Sequence, residues 1–167
     1  MLKSIIIDDE AGASQSLCNI IHSKCDNVKI LEVANSVTNG IKAIDRHTPD
    51  LIFLDIQLQK ETGFDLLEKI HKIDFEVIFT TAYDQYAIKA IKFAALDYLL
   101  KPIDTKELID AVAKAEKKRL IAKPNPHISV LMDNRKQADI YTQTIGLPTM
   151  DGYVFVQLND IIRCEAD

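Results

Sequence analysis

The chain has 167 residues, enough for one medium domain or one domain and part of another. Its apolar fraction of 47% and charged fraction of 27% are those of a soluble globular protein, and no apolar run approaches the roughly 20 residues that span a bilayer. A net charge of −5 offers no overall footprint for nucleic acid, and Cys18, Cys25 and Cys164, without a CxxC pair or an export signal before them, fit reduced thiols in a cytoplasm.

Ile5-Ile6-Ile7 is a β-branched run that ends in Asp8-Asp9-Glu10, so a buried strand followed by an acidic loop is predicted. Leu17, Ile20 and Ile21 recur at helical spacing between Ala11 and about Lys24. Val28 to Ala34 is a second strand, after which Asn35-Ser36 caps a helix with Val37, Ile41 and Ile44 on one face. Pro49 closes that helix. Asp50-Leu-Ile-Phe-Leu-Asp55 sets four apolar residues between two acids, a strand buried on both faces, with Asp55 at its C-terminal end. Thr62 caps a helix carrying Phe64, Leu67 and Ile70. Phe75 to Phe79 is a fourth strand running into Thr80-Thr81-Ala82, and Asp84 caps a helix with Ile88, Ile91 and Ala95 inward. Leu96 to Leu100 is a fifth strand that leads into Lys101-Pro102. Asp104 and Glu107 have the form of a capping box for a last helix with Leu108, Ile109, Val112 and Ala115 in its apolar stripe.

Five strand–helix alternations imply parallel strands with right-handed crossovers, an α/β doubly wound sheet. Lys123-Pro-Asn-Pro126 then breaks the pattern as a stiff linker, taken as residues 123–127. The texture beyond it is of short β-type runs, Ile128–Met132, Tyr153–Leu158 and Ile161–Cys164, with Asp151-Gly152 as a turn signal. Residues 128–167 are too few for an independent core and are expected to open a second, all-β domain that stays incomplete.

Open parallel sheets hold their ligands beyond the C-terminal ends of the strands. If strands one, three, four and five are neighbours, Asp8, Asp9, Asp55, Thr81 and Lys101 meet there. Three crowded carboxylates repel, and a hard divalent cation relieves the repulsion. Acids for a metal, an acid as acceptor, a hydroxyl and an ammonium are what a phosphoryl group requires. Each has a plainer use: the acids beside a helix N-terminus, Thr81 as a turn cap, Lys101 as a solvated cation. The weight lies in their conjunction: the Asp8-Asp9 pair, Asp55, Thr81 and Lys101 each fall at the end of a different strand, in the required chain order. His22, His47, His71 and His127 show no metal-ligand spacing.

Asp8-Asp9, Asp55 with Gly63, Thr81-Ala82 and Tyr98-Leu-Leu-Lys101-Pro102 together resemble the receiver domain of bacterial two-component response regulators, over residues 1–122. The resemblance implies a flavodoxin-like (βα)5 sheet in the order 2-1-3-4-5. It further implies that Asp55 is phosphorylated by a sensor histidine kinase and that Mg2+ is held by Asp9, Asp55 and the Gln57 backbone carbonyl, with Asp8 acting through water. Thr81 would move to the phosphoryl group, Tyr98 would turn inward behind it, and Lys101 would pair with it. Lys101-Pro102 is expected to be cis. Related receivers dimerise through helix 4, strand 5 and helix 5, and the basic cluster from Lys114 to Arg119 could pair across such a dimer.

One departure is Leu58-Gln59, where the family commonly has Met-Pro; losing the proline should loosen that loop. The tail from Asp151 to Asp167 resembles the opening strands of a LytTR DNA-binding domain. From residue 128 on there are three basic residues against six acidic ones, so DNA binding is expected of the complete gene product and not of this segment. The competing readings are a Mg2+-dependent phosphatase of haloacid-dehalogenase type, which needs a second Asp where Gln57 stands, and a binding module that is never phosphorylated.

Overall fold

Five apolar runs form strands in the computed structural model: Leu2–Ile7 (β1), Val28–Ala34 (β2), Leu51–Leu54 (β3), Glu76–Thr81 (β4) and Asp97–Leu100 (β5). The structure describes residues 1–70, 72–120, 144–149 and 152–157. All neighbouring pairs in this sheet are parallel, in the order β2-β1-β3-β4-β5, as the flavodoxin-like reading requires. The connecting helices are Ala11–Lys24 (α1), Val37–His47 (α2), Gly63–Lys69 (α3), Ala87–Lys92 (α4) and Thr105–Leu120 (α5).

β3 is buried on both faces, its four residues alternating between two cores. Ile52 and Leu54 pack with Val37, Ala43 and Ile44 of α2, Phe64 and Leu66 of α3 and Ala90 of α4. Leu51 and Phe53 pack with Leu17 and Ile21 of α1 and Leu108, Ala111 and Val112 of α5. Each fully buried Phe, Leu or Ile contributes about 1.5–3 kcal/mol. Helices on both faces leave the strand ends as the place where polar groups can gather.

Local chemistry sets the helix ends. Ser36 Oγ accepts from Asn39 N–H at the start of α2. The left-handed Thr48 (φ 44°) ends that helix just before Pro49. At α3, Thr62 Oγ1 accepts from Asp65 N–H, while Asp65 Oδ2 accepts from Thr62 N–H and its hydroxyl, a complete capping box. The Thr62 hydroxyl and amide hold the Asp65 carboxyl below its ordinary pKa.

Four expectations are corrected. Asp84 begins a 3-10 turn over Asp84–Tyr86 without a side-chain cap, and α4 proper is six residues long. Ile91 is exposed and Ala90 buried, while Ala95 is buried beyond a left-handed Ala94 (φ 48°) that has already ended the helix. In α5, Ala111 takes the inward place expected of Ile109, which is exposed. Asp104 Oδ1 accepts from Lys106 and Glu107 N–H, so it caps α5, whereas no bond from the Glu107 side chain completes the box among the described residues.

In the tail, Thr144–Thr149 (β6) and Gly152–Gln157 (β7) pair antiparallel, with Thr149 opposite Gly152. β7 overlaps the predicted Tyr153–Leu158 run but begins at Gly152, which was read as part of a turn, and β6 was not expected. The predicted linker 123–127 and the predicted strands Ile128–Met132 and Ile161–Cys164 lie outside the described residues.

Gly63 sits where α3 turns closely against the end of β3, and its N–H donates to the Ile56 carbonyl at 2.9 Å. A Cβ there would lie 2.4 Å from the Asp55 carbonyl oxygen and 2.9 Å from Leu54 Cγ. Backbone cannot swing aside as a side chain can. Gly63→Ala is therefore expected to cost about 1–3 kcal/mol, read as a lower urea midpoint at unchanged slope.

Candidate functional site

The sheet's ladder continues one residue beyond three strands and so fixes the backbone from which the site projects. Asp8 N–H donates to the Ala34 carbonyl (2.9 Å), Asp55 N–H to Ile7 (2.8 Å) and Lys101 N–H to Thr81 (2.7 Å). Asp8, Asp9, Asp55 and Lys101 thereby reach one edge from three separate strands. One carboxylate oxygen each from Asp8, Asp9 and Asp55 lies within 4.8 Å of the other two.

Lys101 Nζ stands 2.7 Å from Asp55 Oδ2 and 2.8 Å from Asp8 Oδ2, with Glu10 Oε2 at 3.8 Å. Main-chain amides hold the other oxygens: Glu10 N–H donates to Asp8 Oδ1 (2.9 Å) and Gln57 N–H to Asp55 Oδ1 (3.2 Å). Gln59 N–H donates to Asp9 Oδ2 at 3.2 Å. Asp8 and Asp55 are buried and Asp9 is exposed. Burial pushes the Asp8 pKa up; the bonds from Lys101 and the Glu10 amide pull the other way without offsetting it, and the Asp55 charge adds to the rise. For Lys101, burial alone would lower the pKa, but its bonds to Asp55 and Asp8 outweigh that and raise it.

Three carboxylates against one ammonium leave two negative charges uncompensated when all are ionised. All-oxygen donors with that deficit suit a hard divalent cation, which accepts carboxylates, a carbonyl and water together.

Thr81 lies at the C-terminal end of β4, fully buried, and its Oγ1 has no hydrogen-bond partner among the described residues. A buried hydroxyl in that condition costs about 1–3 kcal/mol unless a partner arrives. Tyr98 is half-buried on β5 and is not in the acidic cluster. Its ring packs on Phe79, with centroids 6.4 Å apart, and its hydroxyl donates to the Tyr83 carbonyl. The Lys101-Pro102 bond is cis, as expected. His47 bonds Glu32, and Lys114, Lys118 and Arg119 pair with Asp97, Glu76 and Asp50 of the same chain.

Sequence reasoning missed the amides of Glu10, Gln57 and Gln59. Backbone donors leave no residue-type signal, and only the φ of 59° at Gln59, a special conformation, distinguishes one of them.

Residues 5–113 match the family described as the response regulator receiver domain. The sensory transduction protein LytT of Bacillus anthracis is 31% identical over 166 residues, which cover 97% of this chain and 65% of the relative. LytT of Bacillus subtilis is 38% identical over 119 residues, covering 70% and 49%. The chain thus spans between about half and two thirds of the length of the curated relatives it matches. A solved receiver domain protein from Clostridium thermocellum superposes with a TM-score of 0.63 at 30% identity, covering 72% of this chain and 99% of that one.

Removing the ammonium tests the electrostatic balance. Lys101→Met leaves Asp8 and Asp55 buried without their cation and should cost about 3 kcal/mol of stability at pH 7 in urea unfolding. Burial already raises the folded-state pKa of Asp8 and the Lys101 contact restrains that rise, so without Lys101 the native carboxyl takes up its proton at higher pH than in wild type. The penalty of the variant should therefore shrink between pH 7 and pH values of about 4.5.

Proposed function

Because the chain belongs to the response regulator receiver family, we propose that Asp55 accepts a phosphoryl group from a sensor histidine kinase. The observation that carries the proposal is Lys101 Nζ bridging Asp55 and Asp8 at 2.7 and 2.8 Å inside the three-carboxylate cluster. In the transfer an Asp55 carboxylate oxygen forms the new bond to phosphorus, the bond from phosphorus to the kinase imidazole breaks, and the electron pair leaves with that nitrogen. Asp8, Asp9, Asp55 and the Gln57 carbonyl are the ligands we assign to Mg2+, with Asp8 acting through water. When bound, the ion would offset the charge of the phosphoryl oxygens. Lys101 exchanges its carboxylate contact for one to a phosphoryl oxygen, and the unpaired Thr81 hydroxyl donates to another. Tyr98 then leaves the Tyr83 carbonyl and turns inward.

This reading makes the protein a switch and not an enzyme, since Asp55 is consumed once per event. The phosphatase alternative has no support: the matched family is a signalling one, and Gln57 stands where that chemistry needs an acid–base aspartate.

We assign residues 1–122 to the receiver, 123–127 to a linker and 128–167 to the start of a LytTR-type DNA-binding domain. The alignment to LytT, which runs well past residue 113, supports this. DNA binding belongs to the complete gene product of that kind, and the setting is cytoplasmic; none of the described helices is long and apolar enough to cross a membrane. Exposed Ile91 on α4, Leu100 on β5 and Ile109 on α5 support self-association through those three elements.

Two measurements test these assignments. A small phosphodonor with Mg2+ should label the wild-type chain stoichiometrically and leave Asp55→Asn unlabelled; undiminished labelling of the variant excludes Asp55 as acceptor. In light scattering, the mass should double when Mg2+ and a phosphoryl mimic are added, and Leu100→Ser should reduce that doubling. A mass that never changes removes the dimer while leaving the acceptor standing.

A further inference from the structure

α4 has little of its own to hold it in place. It is six residues long, follows a 3-10 turn without a side-chain cap and is ended by the left-handed Ala94. A helix this short is not stable by its own hydrogen bonds, so its position depends on what it touches. Ala90 is buried, and Phe93 packs on Phe64 of α3 with ring centroids 4.9 Å apart. Lys89 is exposed, yet its ammonium lies 4.3 Å from the Phe64 centroid and 6.0 Å from that of Phe93. Phe64 itself is only 1% exposed. A lysine with water within reach that sets its charge on a buried ring makes a cation–π contact, here one that ties α4 to α3.

Phe64 also closes a circuit of aromatic side chains. Its ring meets Phe79 at 4.9 Å, and Phe79 meets Tyr98 at 6.4 Å. The Tyr98 hydroxyl donates to the Tyr83 carbonyl, the Tyr83 ring meets Tyr86 at 6.1 Å, and Tyr86 returns to Phe64 at 6.3 Å. The circuit takes in the 3-10 turn that leads into α4. One of its links, from Tyr98 to Tyr83, is the one that the proposed switch breaks.

We infer that Lys89 is a latch: its ammonium on the Phe64 ring holds α4 in the arrangement of the unphosphorylated chain and so sets how readily an event at Asp55 moves that helix. The inference rests on the proposed switch and adds to it the contact that opposes it. Lys89 touches none of the groups assigned to the phosphoryl chemistry, so it biases the equilibrium between the two arrangements without being required for either. Its charge is what acts on the ring. Arginine at this position keeps that charge, while methionine keeps an unbranched apolar stem and loses it.

Proton magnetic resonance on the full chain follows the latch directly. Protons over a ring face are shielded, so the Lys89 ε-methylene signal, identified by its loss in Lys89→Met, should lie upfield of the ordinary lysine position. It should return to that position when Mg2+ and beryllium trifluoride, a phosphoryl mimic, saturate Asp55. An ordinary position in the untreated chain, or a shielded signal that survives saturation, overturns the proposal. The second measurement is the concentration of the mimic that half-saturates Asp55. It should fall about two- to fivefold in Lys89→Met, the shift that an exposed cation–π contact supports, and stay near the wild-type value in Lys89→Arg. A merely structural lysine would lower stability in urea and leave that concentration where it was; an unchanged or raised value in Lys89→Met overturns the proposal. If no signal of Asp55 or its neighbours responds to the mimic, the phosphoryl reading itself fails and the latch with it, even where the Lys89 signal is shielded.

Discussion

The interaction on which the rest depends is the one between a single buried ammonium and the carboxylates crowded around it. Lys101 and Asp55 are 46 residues apart in sequence and 2.7 Å apart in space. Neither is comfortable alone: a buried carboxylate without a cation, or a buried lysine without an anion, costs several kcal/mol. A fold that brings them together must be stiff enough to keep them so. The parallel sheet does this by running its ladder one residue past β1, β3 and β5, so that the peptide units of Asp8, Asp55 and Lys101 are themselves hydrogen-bonded into the sheet.

The apolar residues supply the stiffness. β3 presents Ile52 and Leu54 to one core and Leu51 and Phe53 to the other, so the peptide carrying Asp55 is clamped from both faces. Gly63 completes the clamp, since only a residue without a Cβ lets α3 begin this close to the Asp55 carbonyl. The polar edge is therefore precise because the apolar interior is, and the two cannot be altered independently.

What the sequence made legible was the part written in residue types. Apolar runs located β2 and α1 at their observed ends, cap residues located the starts of α2 and α3, and the strand-end acids and lysine named four of the residues that do meet. Two kinds of signal failed. Periodicity placed Ile91 and Ile109 inward, but apolar spacing cannot say which neighbour on a helix turns to the sheet, and the small Ala90 and Ala111 pack there instead. β6 escaped because Gly146 and Pro148 lie within it and both argue against a strand by composition. At the site, the amide of Gln59 was invisible for a different reason. Its direction is a matter of φ, which Gln does not announce.

The same distinction explains why Thr81 and Tyr98 read so differently in the sequence and in space. Thr81 carries a fully buried hydroxyl without a partner among the described residues, while Tyr98 spends its hydroxyl on the Tyr83 carbonyl. Phe79, opposite Tyr98 in the sheet and two residues before Thr81, packs against both Tyr98 and Phe64, whose ring also carries the Lys89 ammonium at 4.3 Å. Close-packed aromatic rings do not deform gradually; they exchange one arrangement for another. A ligand that satisfied Thr81 would lower the free energy of the arrangement in which Thr81 is bonded. It would do so by no more than the difference in its contacts between the two arrangements. Under the proposed phosphorylation of Asp55, the unmet Thr81 hydroxyl is the term through which that event would bias the Tyr98 ring.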